Sequence, residues 1–227
     1  AYIEHSPALT KHKSKCEVIP LGIKPMFNDT QSLPVAWAEK LWPKNKLRVF
    51  HLGRLTFYKN QKLLVNAASQ SKQHHTILAG EGQLKEKLQQ QINDKQVAEQ
   101  VSLTGSLDWQ QINALYQTCD VFCLPSHDRA ESFGVVLLEA MWHNKIILVA
   151  DTAGSGMAWL AEQYNKGFIF KSDDATDLIK QLQYINNNLP SIQALPKDFK
   201  WPIEKTAKQL NQLYQNSQVP ITKEETP

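Results

Sequence analysis

Short, continuous apolar runs alternate along most of this chain with longer segments of helical spacing. Arg48–Gly53, Thr76–Ala79, Val101–Thr104, Asp120–Leu124, Ile146–Ala150 and Gly167–Phe170 each read as a buried strand closed by glycine, proline or a polar residue. Between them, Lys59–Lys72 carries Leu63, Leu64, Ala67 and Ala68 on one helical face, and Trp109–Gln117 carries Ile112, Leu115 and Tyr116. Leu84–Ile92, Val135–His143, Met157–Tyr164 and Thr176–Asn187 complete the helical set. Strands without polar alternation are strands buried on both faces, so the pattern predicts a doubly wound parallel α/β sheet of Rossmann-like type over residues 46–190. After a loop at Leu189–Lys200, Trp201–Gln215 reads as an amphipathic helix, and residues 217–227 are expected to fray. Residues 1–45 do not form a self-contained unit. They hold a strand-like stub, VIPLGIKPMF, and a stretch from Gln31 to Pro43 whose Trp37, Leu41 and Trp42 must pack on something.

Composition narrows the function classes. With 227 residues, 42% hydrophobic and 21% charged, the chain can bury a sizeable core, which excludes wholesale disorder. A net charge of +3 demands no nucleic-acid partner. No apolar run reaches the roughly 20 residues that span a bilayer. The three cysteines, Cys16, Cys119 and Cys123, are too few for a disulfide framework; Cys119 and Cys123 lie in the strand-like CDVFCLP without further ligands at zinc spacing, so buried thiols in a reducing compartment are expected there.

Ligands of doubly wound sheets sit beyond the carboxyl ends of the strands, so the loops there carry the candidate chemistry. After the first strand, Gly53 permits a tight turn and Arg54 and Lys59 offer two cations for phosphate oxygens, or are two solvated surface charges. After the second, Gly80 and Gly82 form a short glycine turn that lacks the full G-x-G-x-x-G pattern and is equally a plain strand-to-helix turn. After the fourth, Glu131 precedes Ser132, Phe133 and Gly134, where a helix with Val135 begins; free amides and the dipole there suit phosphate. Glu131 is otherwise an acid favoured by that dipole. Glu139 lies on an apolar helix and needs a partner, either ligand hydroxyls or a Lys or Arg at the core edge. Asp173-Asp174 reads as a helix cap rather than a metal pair.

The ordered segments resemble the C-terminal half of retaining glycosyltransferases of family 4, which have the two-domain GT-B fold. VIPLGIKPMF resembles the family's interdomain linker, and HLGRLTFYKNQKLLVNAA its G-R-L-x-x-x-K-G segment. ILAGEGQLKEKL and VSLTGSLDWQQINALYQTCDVFCLPS follow. ESFGVVLLEAM then matches the E-x7-E signature from Glu131 to Glu139, and FKWPIEKTAKQLNQLY resembles the closing helix. The resemblance covers about residues 16–216. It implies a nucleotide-sugar donor, UDP- or GDP-linked, with no metal or other cofactor. By the resemblance, Arg54, Lys59 and the amides of Phe133, Gly134 and Val135 hold the diphosphate, and Glu139 binds the ribose. Glu131 acts at the donor sugar, and Gly105, Ser106 and Leu107 border the base. Gly53, Gly80, Gly82 and Ser132 line the rest of the pocket.

Four places depart from the family pattern. Asn60 and Asn144 stand where glycines are usual, Leu21 replaces an asparagine, and Ala153–Trp159 replaces a GG-x-P-E stretch that borders the donor. The family's acceptor domain has no counterpart here. The chain is therefore expected to be a fragment: residues 1–45 linker and extension, 46–190 donor domain, 191–227 loop, crossing helix and tail. Alone, it would bind a donor without transferring the sugar to the parent's glycan or lipid-linked acceptor. The resemblance further implies a cytoplasmic parent, with peripheral docking at the inner membrane face left open, although the cluster Lys11, His12, Lys13 and Lys15 reads as solvated surface. A non-catalytic nucleotide-sugar-binding module and a GT-B-like sugar epimerase are the alternatives. Apolar exposure around Trp37, Trp42 and Trp201 would mark a missing partner domain.

Overall fold

A computed structural model describes residue 3 and residues 6–24 and 35–217. Six strands form one parallel sheet: β1 (Leu47–Leu52), β2 (His74–Ala79), β3 (Val101–Gly105), β4 (Val121–Leu124), β5 (Ile146–Asp151) and β6 (Gly167–Lys171). Their spatial order is β3-β2-β1-β4-β5-β6. The chain winds outward from β1 through β3, then returns to lay β4 on the other side of β1, with Val49 opposite Val121 and Phe50 opposite Phe122. The order therefore reverses between β1 and β4, the crevice where doubly wound sheets take ligands.

The continuous apolar runs are explained by two separate cores. Along β4, Val121 and Cys123 face one core while Phe122 and Leu124 face the other; in β5, Ile146, Leu148 and Ala150 oppose Ile147 and Val149. The first core is closed by α3 (Gln61–Gln70), α4 (Lys85–Asp94), α8 (Ala175–Asn187) and Ile192 of α9 (Leu189–Gln193). The second is closed by α2 (Val35–Glu39), α5 (Trp109–Thr118), α6 (Val135–Trp142) and α7 (Met157–Glu162). Each large side chain so buried removes apolar surface worth about 1.5–3 kcal/mol. Asp108 starts α5 with a capping box to Gln111, and Asp174 caps α8 through the Asp177 amide.

All six expected strands are present, with ends shifted by one or two residues. Three local readings change. Lys59 does not open α3; it ends a 3₁₀ turn at Phe57–Lys59, and α3 starts at Gln61. The loop at Leu189–Lys200 contains the short helix α9, with Pro190 in its first turn. The final helix, α10, runs Ile203–Ser217; residues 218–227, expected to fray, lie outside the described residues, as do 25–34.

The flanking segments join the core. Ala38 and Trp42 from before residue 46, and Ile192 and Trp201 from after residue 190, are buried in it. The Trp42 indole N–H donates to Thr118 Oγ1 at 2.9 Å. Trp42 and Trp201 are themselves buried, at 5% and 6% exposed, and Trp37 packs on the same core half-buried, while Val35, Trp159 and Ile203 near them are exposed. The linker stub forms no strand over residues 18–24. It contributes one parallel bridge, Ile23 to Pro202, and Thr206 Oγ1 donates to the Pro20 carbonyl, fastening α10 to this segment. A short helix, α1 (Pro7–Thr10), was not anticipated; Lys11, His12, Lys13 and Lys15 after it are exposed.

Candidate functional site

The β1–β4 reversal places the loop after β1 against the loop after β4. Lys59 meets Glu131 there: the ammonium contacts Oε2 of the carboxylate, in a pair with side-chain exposures of 9% and 12%. Ser126 Oγ donates to the same oxygen at 3.2 Å. Ser155 Oγ donates to the Glu131 carbonyl, the Gly156 amide to Ser132 O, and Thr152 Oγ1 to Ser126 O. The β5 loop therefore holds the β4 loop at both its backbone and its start. The segment Ala153–Trp159 that departs from the family pattern supplies two of these three bonds, from Ser155 and Gly156.

Glu131 is not a helix-terminal acid. It lies three residues before Gly134, which precedes α6 in the left-handed region at φ 75°. A Cβ on Gly134 would press on Leu124 and Leu137 at 3.0 Å, so glycine is needed for both conformation and space. In the first turn of α6 the Leu137 amide donates to the Gly134 carbonyl at 2.8 Å and no side chain caps the helix; this end follows directly on the loop that carries Glu131.

The Arg54 loop is anchored from beneath. His51, wholly buried in β1, donates from Nδ1 to the Cys123 carbonyl at 2.9 Å. Gln61 Nε2 donates to His51 Nε2 at 3.2 Å and to the Arg54 carbonyl at 2.9 Å. Burial lowers the His51 pKa to about 4, which keeps the ring neutral and able to accept. The Arg54 side chain is exposed and forms no ion pair among the described residues. Asn60 adopts φ 55° and Asn144 φ 58°, so both asparagines fill left-handed positions where the family's glycines are usual.

Further along the crevice, Gly80 (φ 138°) packs so closely on the β1 loop that a Cβ would run into the Gly53 carbonyl, and its amide donates to Gly105 O at 2.8 Å. Glu81 contacts Lys85 at 2.8 Å and accepts from the Ser106 amide, lowering its pKa chiefly through the Lys85 hydrogen bond. Gly53, Gly80 and Gly105 are thus in direct contact, Glu81 ties Ser106 to them, Gly82 packs on Leu55, and Leu107 packs half-buried on the second core.

Glu139, half-buried on α6, has a partner other than a cation. The Tyr116 hydroxyl of α5 lies 3.0 Å from its Oε2. Burial raises the Glu139 pKa, against a smaller opposite effect of this hydrogen bond. Asp174 caps α8 as expected, but Asp173 turns to the site: its Oδ1 accepts from Asn60 Nδ2 and from His127 Nδ1, each at 2.9 Å. His127, Asp173, Ser126 and Tyr116 were not singled out in the sequence as site residues. The signal available for Tyr116 was a phenol on an apolar helix face, whose hydroxyl must find a partner. Among the described residues, no group of three His, Cys, Asp or Glu side chains is arranged to hold a metal ion.

A family model described as "Glycosyl transferases group 1" matches residues 36–201. The chain belongs to this family.

Among curated relatives, O-antigen chain mannosyltransferase C of Escherichia coli is 27% identical over 188 residues, covering 82% of this chain and 49% of the relative. D-rhamnosyltransferase WbpZ of Pseudomonas aeruginosa is 30% identical over 165 residues, covering 70% of this chain and 41% of the relative. The chain thus spans at most half the length of these relatives. Among solved structures, a glycosyltransferase from Rickettsia africae superposes with a TM-score of 0.73 at 17% identity, covering 90% of this chain and 57% of that one. Anabaena HepE, solved with UDP and glucose, superposes with a TM-score of 0.68 at 20% identity, covering 80% and 52%. These likenesses establish the fold, a Rossmann-like sheet matching GT-B glycosyltransferases. No helix among the described residues of this family member is long and apolar enough to cross a membrane.

Proposed function

We propose that this chain is the donor-binding domain of a retaining glycosyltransferase whose parent transfers a sugar from a UDP- or GDP-linked donor to a glycan or lipid-linked acceptor. The observation that carries the reading is the junction of Lys59, Glu131 and the first turn of α6 at the β1–β4 reversal, with the unpaired Arg54 beside it. Lys59 and the start of α6 border the crevice and Arg54 belongs to the loop that lines it, which supports a site for a departing diphosphate. The family match and the UDP and glucose bound by the Anabaena protein support it.

Chemically, Arg54 presents a planar fork to the phosphate oxygens, and the amides of Phe133, Gly134 and Val135 add the helix dipole. Lys59 carries three ammonium protons; one engages Glu131, and the others are available to a leaving phosphate oxygen. Charge developing on the diphosphate is met without a metal. Glu131, fixed by Lys59 and Ser126, positions donor-sugar hydroxyls near the reacting carbon and is not a nucleophile. The acceptor enters on the same face as the departing phosphate, which retains configuration. Glu139 accepts from the ribose hydroxyls, and the Gly105–Leu107 backbone borders the base. The parent acts in the cytoplasm, on a glycan or lipid-linked acceptor.

Calorimetric titration of the folded chain with UDP, GDP, ADP and their sugar conjugates tests this. Saturable binding of one base, weakened by Arg54→Ala and Lys59→Ala and lost in Glu139→Ala, is expected. Unchanged binding in the two cation variants refutes the diphosphate site. Epimerised product without transfer by the full-length parent would establish an epimerase instead.

A further inference from the structure

Glu139 is an acid on an apolar helix, and the group that meets it comes from the neighbouring helix. Tyr116 of α5 is fully buried, with its hydroxyl 3.0 Å from Glu139 Oε2 and 3.2 Å from the Val136 carbonyl. Its ring cannot swing. Phe50 meets it edge-on at 5.2 Å, Phe122 lies at 5.4 Å, and His143 stacks on it at 5.3 Å with planes 5° apart. The core therefore fixes the point in space from which one hydroxyl proton is offered.

We infer that Tyr116 is a positioning residue of the ribose site: its hydroxyl holds Oε2 of Glu139 and leaves Oε1, which makes no hydrogen bond among the described residues, to accept from a nucleotide's ribose diol. The inference rests on the reading of Glu139 as the ribose ligand, and adds how that carboxylate is aimed and kept charged.

Two consequences separate this role from simple packing. A long carboxylate side chain free to rotate loses that freedom when it binds a diol, and the Tyr116 contact removes the loss beforehand. A carboxylate withdrawn from water also tends to take up a proton, and a protonated acid is a poorer acceptor. The phenol opposes that protonation by stabilising the charged form. Tyr116 itself stays a phenol, because burial and the Glu139 charge both push its own ionisation well above the ordinary range. The other titratable groups around the pair are Cys119 behind Tyr116 on α5 and His143 one turn further along from Glu139; β1 and β4 present Phe50 and Phe122. No Lys or Arg pairs with Glu139 among the described residues.

The test compares the wild-type chain, Tyr116→Phe and Glu139→Gln for binding of UDP and GDP and of their 2′-deoxy counterparts, from pH 5 to 9. Tyr116→Phe removes one oxygen and keeps the ring stacking. The expected result is about five- to tenfold weaker binding of the ribonucleotide at pH 7, with the acid limb of affinity moved to higher pH and recovery toward wild type at pH 9. The ratio of ribo to 2′-deoxy affinity should fall as well. Titration of the diphosphate is common to all three proteins and cancels in their differences. If Glu139→Gln leaves affinity and the ribo preference unchanged, the ribose reading fails. If Glu139→Gln abolishes that preference while Tyr116→Phe moves neither the preference nor the acid limb, the positioning role alone is overturned, whatever happens to stability. A carbon-13 NMR titration of the Glu139 carboxyl group in the unliganded chain reads the same ionisation without a nucleotide. It must move to higher pH in Tyr116→Phe, and an unmoved midpoint overturns the inference.

Discussion

Replacing Lys59 by methionine removes an ammonium from the Glu131 carboxylate while keeping most of the aliphatic stem. The side-chain exposures of 9% and 12% put this pair between two regimes. Exposed ion pairs contribute about 0–1 kcal/mol, whereas stripping one member from a buried pair costs about 3–5 kcal/mol. In Lys59→Met, Glu131 keeps the Ser126 hydroxyl at 3.2 Å and a little contact with water, so the cost falls below the buried range, at about 2–3 kcal/mol. For a domain of this size that is a fall in Tm of about 4–12 °C. Glu131→Gln strands the opposite charge and is expected to cost a similar amount. In the double variant no charge is stranded, and the introduced amide oxygen can still accept from Ser126. The double variant should therefore lose no more than either single variant, giving a coupling energy of about 2–3 kcal/mol in the double-mutant cycle. Urea unfolding followed by tryptophan fluorescence, in low and high salt, measures all four proteins. The coupling should survive about 0.5 M salt because the pair is shielded from counterions. A coupling below about 0.5 kcal/mol, or one abolished by salt, would refute the view that Lys59 and Glu131 form one fixed unit across the β1–β4 crevice.

Three further outcomes are expected. His51 and His74 are buried and His143 half-buried, and desolvation lowers the pKa of each to about 4, so the folded state resists protonation and the unfolded chain does not. Stability should be full above about pH 6.5 and fall as the pH drops toward 4, by about 3 kcal/mol from His51 alone; an acid limb in urea midpoints that His51→Asn leaves unchanged would contradict this. Glu139 has its pKa raised by burial, so it contributes stability at low pH that is lost as the pH rises through its folded value. Glu139→Gln should accordingly be more stable than wild type at pH 8, with the gain fading as the pH is lowered through the ordinary glutamate range, while nucleotide binding is lost. Asn144 at φ 58° should accept glycine with little change in Tm, whereas Asn144→Ala should lose about 1 kcal/mol.

Local pattern carries the element list because burial on both faces erases polar alternation, and that signature is written residue by residue. The runs at Val121–Leu124 and Ile146–Ala150 divide between two cores just as unbroken apolar strands should. The glycine-like positions were legible for a similar reason. Asn60 and Asn144 tolerate the left-handed region by their own chemistry, and they occupy it. Helix α9 was missed because five residues are too few for a periodicity to show.

Partnerships across the fold are a different matter. Glu139 was visible as an acid needing a partner, but the partner the fold itself supplies is a phenol 23 positions away rather than a Lys or Arg. Asp173 was legible as one half of a cap, yet it bonds Asn60 across 113 positions. The Lys59–Glu131 contact exists because the strand order reverses between β1 and β4. Such contacts follow from which strands lie side by side. That depends on free-energy differences between whole sheet arrangements built from the same strands and helices. Residue types and short-range spacing determine the strands, the helices, the left-handed turns and the kind of chemistry available at their ends. Only packing of the finished sheet decides which of those groups meet, because each meeting needs elements distant in sequence to be brought within a hydrogen bond of one another.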